Sequence, residues 1–137
     1  MGGSGGGYIT MGTCRHLAEA NERIVKFQGL FAPFVGNSYC RGEPDTFFHP
    51  HELQARSMMN NFSKCLAKGA ELDPLDVNVF PGLISDQVCR KMPPTFIMTF
   101  EFDSCRKSAE EAAVLFRKNK RLIGFGCIKG THHMSCL

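Results

Sequence analysis

Apolar stretches of two different periods alternate along this chain, and that alternation limits the fold more than any other feature. From Tyr8 to Ala20 the residues Ile9, Met11, Cys14, Leu17, Ala18 and Ala20 predict a helix, with His16, Glu19, Asn21, Glu22 and Arg23 at its exposed end. Ile24 to Val35 is apolar and aromatic and predicts a strand of about 6 residues, stopped near Pro33. Glu52 to Leu66 carries Leu53, Met58, Met59, Phe62, Cys65 and Leu66 at helical spacing, and Gly69 ends it. Thr95 to Phe102, behind Pro93-Pro94, is a β-branched and aromatic run that reads as a buried strand. Ser104 to Lys120 sets Ala109, Ala112, Ala113, Leu115 and Phe116 against Arg106, Lys107, Glu110, Glu111, Arg117 and Lys118, an amphipathic helix. Leu122 to Ile128 is a last short apolar strand. Helices alternating with strands imply an α/β fold, a parallel sheet with flanking helices as crossovers.

Between these elements, Asn37 to Pro50 is loop-like, and Leu72 to Met92 has few regular signals. Hydrophobic residues are 43% and charged residues 21% of the 137, a globular balance that excludes wholesale disorder. Lys plus Arg exceed Asp plus Glu by 16 to 13, and +3 is too small an excess to make nucleic acid or an anionic membrane the main partner. No apolar run approaches about 18 residues, so no transmembrane segment is expected. The glycine-rich start has neither the basic nor the apolar part of a secretory signal. The seven cysteines are odd in number, evenly spread and without a C-x-x-C pair. They read as reduced thiols, mostly small core residues, in a cytoplasmic protein. His132, His133 and Cys136 have loose metal-ligand spacing without an evident fourth ligand, so neither a metal nor another cofactor is expected.

In an open parallel sheet, reactive groups gather at the carboxyl ends of the strands. Asp103 directly follows one predicted strand, and His132 and His133 follow another after Gly130. A carboxylate there would fix the tautomer of an imidazole and stabilise its protonated form. The matching nucleophile is Ser4, because Gly2-Gly3-Ser4-Gly5-Gly6 satisfies G-x-S-x-G and a helical pattern follows at once. Small neighbours let the backbone turn tightly from strand to helix and expose the hydroxyl. Plainer readings stand beside these. Met1 to Gly7 also reads as a flexible Gly/Ser linker, Asp103 as a helix cap, and the His pair as a solvated turn. His49 and His51 flank Pro50 without a ligand set, and nothing in the sequence around Cys105 suggests a lowered thiol pKa.

Taken together, the order Ser4, Asp103, then His132 or His133 resembles that of the α/β-hydrolase superfamily, in particular carboxylesterases of the hormone-sensitive-lipase and arylacetamide-deacetylase type. Gly2 to Gly7 with Tyr8-Ile9-Thr10 resembles that group's nucleophile elbow, and Gln28-Gly29-Leu30-Phe31-Ala32-Pro33 its next strand. Val79-Phe80-Pro81-Gly82-Leu83 is similar to its "VSPLL" turn, and Pro93-Pro94 through Glu101-Phe102-Asp103-Ser104-Cys105-Arg106 to its "EFDxxR" stretch. Gly130-Thr131-His132-His133 is similar to its closing "GxxHG".

The resemblance implies Ser4 as nucleophile, Asp103 as triad acid and His133 as base, with His132 as the fallback, and the Gly5 backbone N–H as an oxyanion donor. Two positions depart from the pattern: Gly3 stands where an acidic residue is usual, and Met134 where glycine is. The group's His-Gly-Gly oxyanion loop has no counterpart. The chain is therefore expected to be the carboxyl-terminal half of the fold, with the early strands and the strand leading into Ser4 missing. Residues 1–36 would hold the elbow, helix and strand, 37–92 a lid-like or connecting region, and 93–137 the acid and histidine strands. The implied substrates are small apolar carboxylic esters or acetylated amides, cleaved through an acyl-enzyme. The other reading is a weak or inactive fragment acting as a binding module, with self-association through exposed strand edges.

Overall fold

A computed structural model describes residues 1–37, 61–66, 71 and 73–136, apart from the side chains of Met134 and Cys136. Its described strands are β1 (Gly2–Gly3), β2 (Gln28–Phe31), β3 (Thr95–Phe100) and β4 (Leu122–Ile128). They form one sheet in the order β1-β2-β3-β4, and every pairing is parallel. The helices are α1 (Gly5–Glu19), α2 over residues 61–66, α3 (Asp86–Cys89) and α4 (Arg106–Lys118). Two 3₁₀ turns, Pro81–Leu83 and His133–Cys136, complete the set.

Side-chain alternation along β3 explains how the layers assemble. Thr95, Ile97 and Thr99 are buried, while Phe96 and Met98 between them are half-buried. Ile97 and Leu30 of β2 meet Met11, Cys14 and Ala18 of α1, and Ala109, Ala112, Ala113 and Phe116 of α4, in one core cluster. On the other face, the Phe31 and Phe96 rings lie 6.2 Å apart. Gly124 and Gly126 make room for that face: a Cβ on either would come within 2.9 Å of the Phe96 ring or the Met98 sulfur. Burying α1 and α4 on the sheet is the main stabilising term, at about 25 cal/mol per Å² of apolar surface.

Several boundaries differ from those expected. α1 begins at Gly5, so the glycines after Ser4 belong to the helix. β2 is confined to Gln28–Phe31, because its partner β3 begins opposite Gln28, at Thr95, and Ile24 and Phe27 are exposed. β3 ends at Phe100 and α4 spans Arg106–Lys118, each shorter than predicted, whereas β4 has the predicted bounds. The stretch with few signals holds the Pro81–Leu83 turn and α3, which Ser85 caps by accepting the Val88 N–H at 3.3 Å. The expected absence of a strand before Ser4 is corrected: Gly2 and Gly3 pair with Leu30 and Phe31. Of the predicted Glu52–Leu66 helix only residues 61–66 are described, and Met58, Met59, His49 and His51 lie outside the described residues. Among the described residues, no helix is long and apolar enough to cross a membrane.

Candidate active site

Ser4 occupies the turn between β1 and α1 with φ 49° and ψ −122°, a conformation that L side chains rarely adopt. The surrounding backbone holds it there. Its N–H donates to Phe31 O at 2.9 Å, and its carbonyl accepts from Gly7 N at 3.0 Å, Tyr8 N at 3.2 Å and Phe34 N at 3.3 Å. The turn also demands close packing. A Cβ on Gly2 would lie 2.1 Å from Gly6 O, and one on Gly7 would lie 2.8 Å from Pro33 Cβ. A flexible linker would have no such fit. The two bare backbones bring α1 against β1 and β2 and aim Ser4 out of the turn. Although Ser4 is the N-cap residue, its side chain makes no cap hydrogen bond.

Its hydroxyl instead lies 2.8 Å from His133 Nε2. His133 Nδ1 lies 2.9 Å from each carboxylate oxygen of Asp103. A carboxylate only accepts, so Nδ1 carries the ring proton and Nε2 is left to accept from the Ser4 hydroxyl. Asp103 is buried, and its Oδ1 also accepts the Cys105 N–H at 2.7 Å. The helix-cap reading therefore survives in altered form: Asp103 bonds a backbone N–H just before α4, while Cys105 is the N-cap residue. His132, the fallback, is exposed, and its N–H donates to Ser135 Oγ at 2.9 Å. Gly5 is the first residue of α1, so its N–H has no acceptor within the helix.

Glu101 has a part in this geometry that the sequence reading did not assign. Its carboxylate accepts the Gly130 N–H at 2.8 Å and Lys129 Nζ at 3.0 Å. Its carbonyl accepts from Arg106 at 3.0 Å, and Phe102 N donates to Thr131 O at 2.8 Å. These bonds lock the turn after β3, which carries Asp103, to the turn after β4, which carries His133. Gly130 takes φ 70° in the second turn. The Gly130 N–H foremost, and then the Lys129 ammonium, hold the Glu101 carboxyl below the usual carboxylate range. A carboxylate two residues before Asp103 in the same strand-end motif is the available signal.

The tail set of His132, His133 and Cys136 includes a side chain, that of Cys136, which lies outside the described residues. What they bring together is Asp103, Cys105 and His133, all buried, with ligand atoms within 4.8 Å of one another.

A family model described as alpha/beta hydrolase fold matches residues 1–137. No match is found among curated proteins. Solved structures similar to this chain include carboxyl esterase 2 from the mycorrhizal fungus Tuber melanosporum, at 22% identity and TM-score 0.74, covering 97% of this chain and 44% of that one. A mutant of esterase rPPE is 23% identical with TM-score 0.82, covering 96% of this chain and 41% of that one. Brefeldin A esterase, described as a bacterial homologue of human hormone sensitive lipase, is 17% identical with TM-score 0.76, covering 98% of this chain and 39% of that one. The chain spans less than half the length of these proteins, with which it shares its fold.

Proposed function

The chain belongs to the α/β hydrolase fold family, and on that premise we propose that it carries the nucleophile, acid and base of a serine carboxylesterase. The observation that carries this reading is the continuous hydrogen-bonded line from Asp103 through His133 to Ser4. In the proposed reaction Ser4 Oγ attacks the ester carbonyl while His133 Nε2 takes its proton. Asp103 stabilises the imidazolium that forms. The Gly5 N–H, at the positive end of α1, donates to the oxyanion. The imidazolium returns its proton to the departing alcohol and an acyl-Ser4 remains. Water, activated by the same imidazole, releases the acid.

Small apolar carboxylic esters, with acetylated amides as the related class, are the substrates proposed, in keeping with the esterases of similar fold. Reaction with a fluorophosphonate probe tests the proposal. Ser4 should be labelled in the folded protein, and Ser4→Ala should not react. Absence of label on Ser4 in folded protein sinks it.

A second reading is a catalytically weak or inactive protein that acts as a binding module, and what favours it is the oxyanion hole assembled by the described residues. Gly5 is the one oxyanion donor assigned among the described residues, and loss of one such donor costs about 10²–10³ in rate. Sedimentation separates the readings: self-association through the β1 or β4 edge favours the module, and a monodisperse, probe-reactive monomer the enzyme.

A further inference from the structure

We propose that Asp103, Cys105 and His133 form an inhibitory site for a thiophilic divalent cation of the zinc class, which switches the proposed triad off by reversing the histidine tautomer. The inference rests on the triad reading for its consequence but not for the binding itself. A thiolate, a carboxylate and an imidazole are three of the ligand types that such cations select. Their donor atoms lie within 4.8 Å of one another. A tetrahedral zinc ion with ligands at about 2.0–2.3 Å spaces its donors about 3.3–3.8 Å apart. Closing the set therefore takes a side-chain adjustment of about 1 Å.

The local structure already points these groups at one another. The Cys105 N–H bonds Asp103 Oδ1 at 2.7 Å, which fixes the two residues in one tight turn. His133 Nδ1 faces the same carboxylate from the turn after β4 at 2.9 Å. Cys105 and Asp103 are buried, so a bound ion would be shielded from water. Its approach lies along His133, whose side chain keeps 10% exposure.

Binding has a definite proton balance. Cys105 releases its thiol proton to solvent and ligates as thiolate. The metal takes the lone pair at His133 Nδ1, and the ring proton moves from Nδ1 to Nε2. Nε2 then donates to Ser4 Oγ and has no lone pair with which to accept the serine proton. One proton leaves per cation bound, no electron is transferred, and the nucleophile loses its base.

Cadmium serves as the probe because its thiolate bond gives an ultraviolet charge-transfer band. The full-length chain should titrate with one Cd²⁺ per molecule at this site. Cys105→Ala should lose that equivalent, and Cys65→Ala, at an exposed thiol, should retain it. Asp103→Asn leaves every thiol in place and guards against misfolding of the first variant; it should bind Cd²⁺ at least tenfold more weakly. Fluorophosphonate labelling of Ser4 should fall at least tenfold with Cd²⁺ in the parent and stay unchanged in Cys105→Ala. Retention of the full band and affinity in both Cys105→Ala and Asp103→Asn overturns the proposal. A band that titrates as expected in a protein whose Ser4 never reacts overturns the esterase reading alone.

Discussion

His133 Nε2 lies 2.8 Å from Ser4 Oγ across 129 residues of sequence, and the neighbouring His132 is turned to solvent. The two histidines should therefore behave differently on substitution. His133→Ala is expected to slow fluorophosphonate labelling and ester turnover by at least about 10³-fold, and Ser4→Ala to abolish both. His132→Ala should stay within about twofold of the parent, since surface changes away from such features are small. Equal losses at His132 and His133 would contradict the assignment.

Asp103→Asn gives a sharper test of the same line. The amide can donate to Nδ1, which would leave the ring proton on Nε2, the wrong side for a base. The expected loss is about 10⁴-fold at neutral pH, with fold and thermal midpoint far less affected than rate.

Much of this arrangement is legible from one sequence, for reasons that differ by residue. β4 has the predicted bounds because Leu122 to Ile128 is an apolar run with a polar residue at each end. Ser4, Asp103 and the His pair were visible because a parallel sheet sends its strand ends to one edge. The choice between His132 and His133 was not, since it depends on the Gly130 turn and the 3₁₀ turn that follows. The bounds of β2 depend on where β3 begins, a long-range fact that Ile24 and Phe27 do not encode. The glycine motif concealed a division of labour: Gly2 and Gly7 are sterically required, whereas a Cβ on Gly5 or Gly6 meets nothing within 4 Å.

That division predicts opposite outcomes for glycine-to-alanine changes. Gly12 lies inside α1 with open space around its Cα, so Gly12→Ala should stabilise the chain by about 0.5–1 kcal/mol. Gly2→Ala places a methyl 2.1 Å from the Gly6 carbonyl and should destabilise by about 1–3 kcal/mol or prevent folding. Urea denaturation midpoints decide both, and a stabilising Gly2→Ala would refute the packing argument.

The loops that carry Asp103 and His133 should loosen at low pH. Glu101 is held below its ordinary value chiefly by the Gly130 N–H, and Asp86 by the Asn119 amide and then Lys118. A depressed carboxylate adds stability that is complete above its unfolded value, about 4.3 for Glu and 3.9 for Asp. That stability is lost as pH falls through the lower folded value. Glu101→Gln and Asp86→Asn should each flatten the fall in urea midpoint below pH ~4. Glu101→Gln should in addition slow Ser4 labelling, because it releases the His133 turn, while Asp86→Asn, between α3 and α4, should not.

Buried thiols act at the opposite end of the pH scale. Burial pushes the Cys89 thiol up to about 11 and raises Cys14 as well. A thiol that stays neutral in the fold but ionises when unfolded leaves stability intact below the unfolded value of about 8.5. That stability is then lost as pH rises toward the folded value. Under reducing conditions the urea midpoint should fall between about pH 8.5 and pH 10, and less steeply in Cys89→Ala. Cys14 supplies part of the slope that remains. Alkylation follows the same burial: at about pH 8 iodoacetamide should modify exposed Cys65 well before Cys14 or Cys89. Equal alkylation rates in folded protein, or an unchanged alkaline slope in Cys89→Ala, would remove Cys89 from the core between α3 and α4.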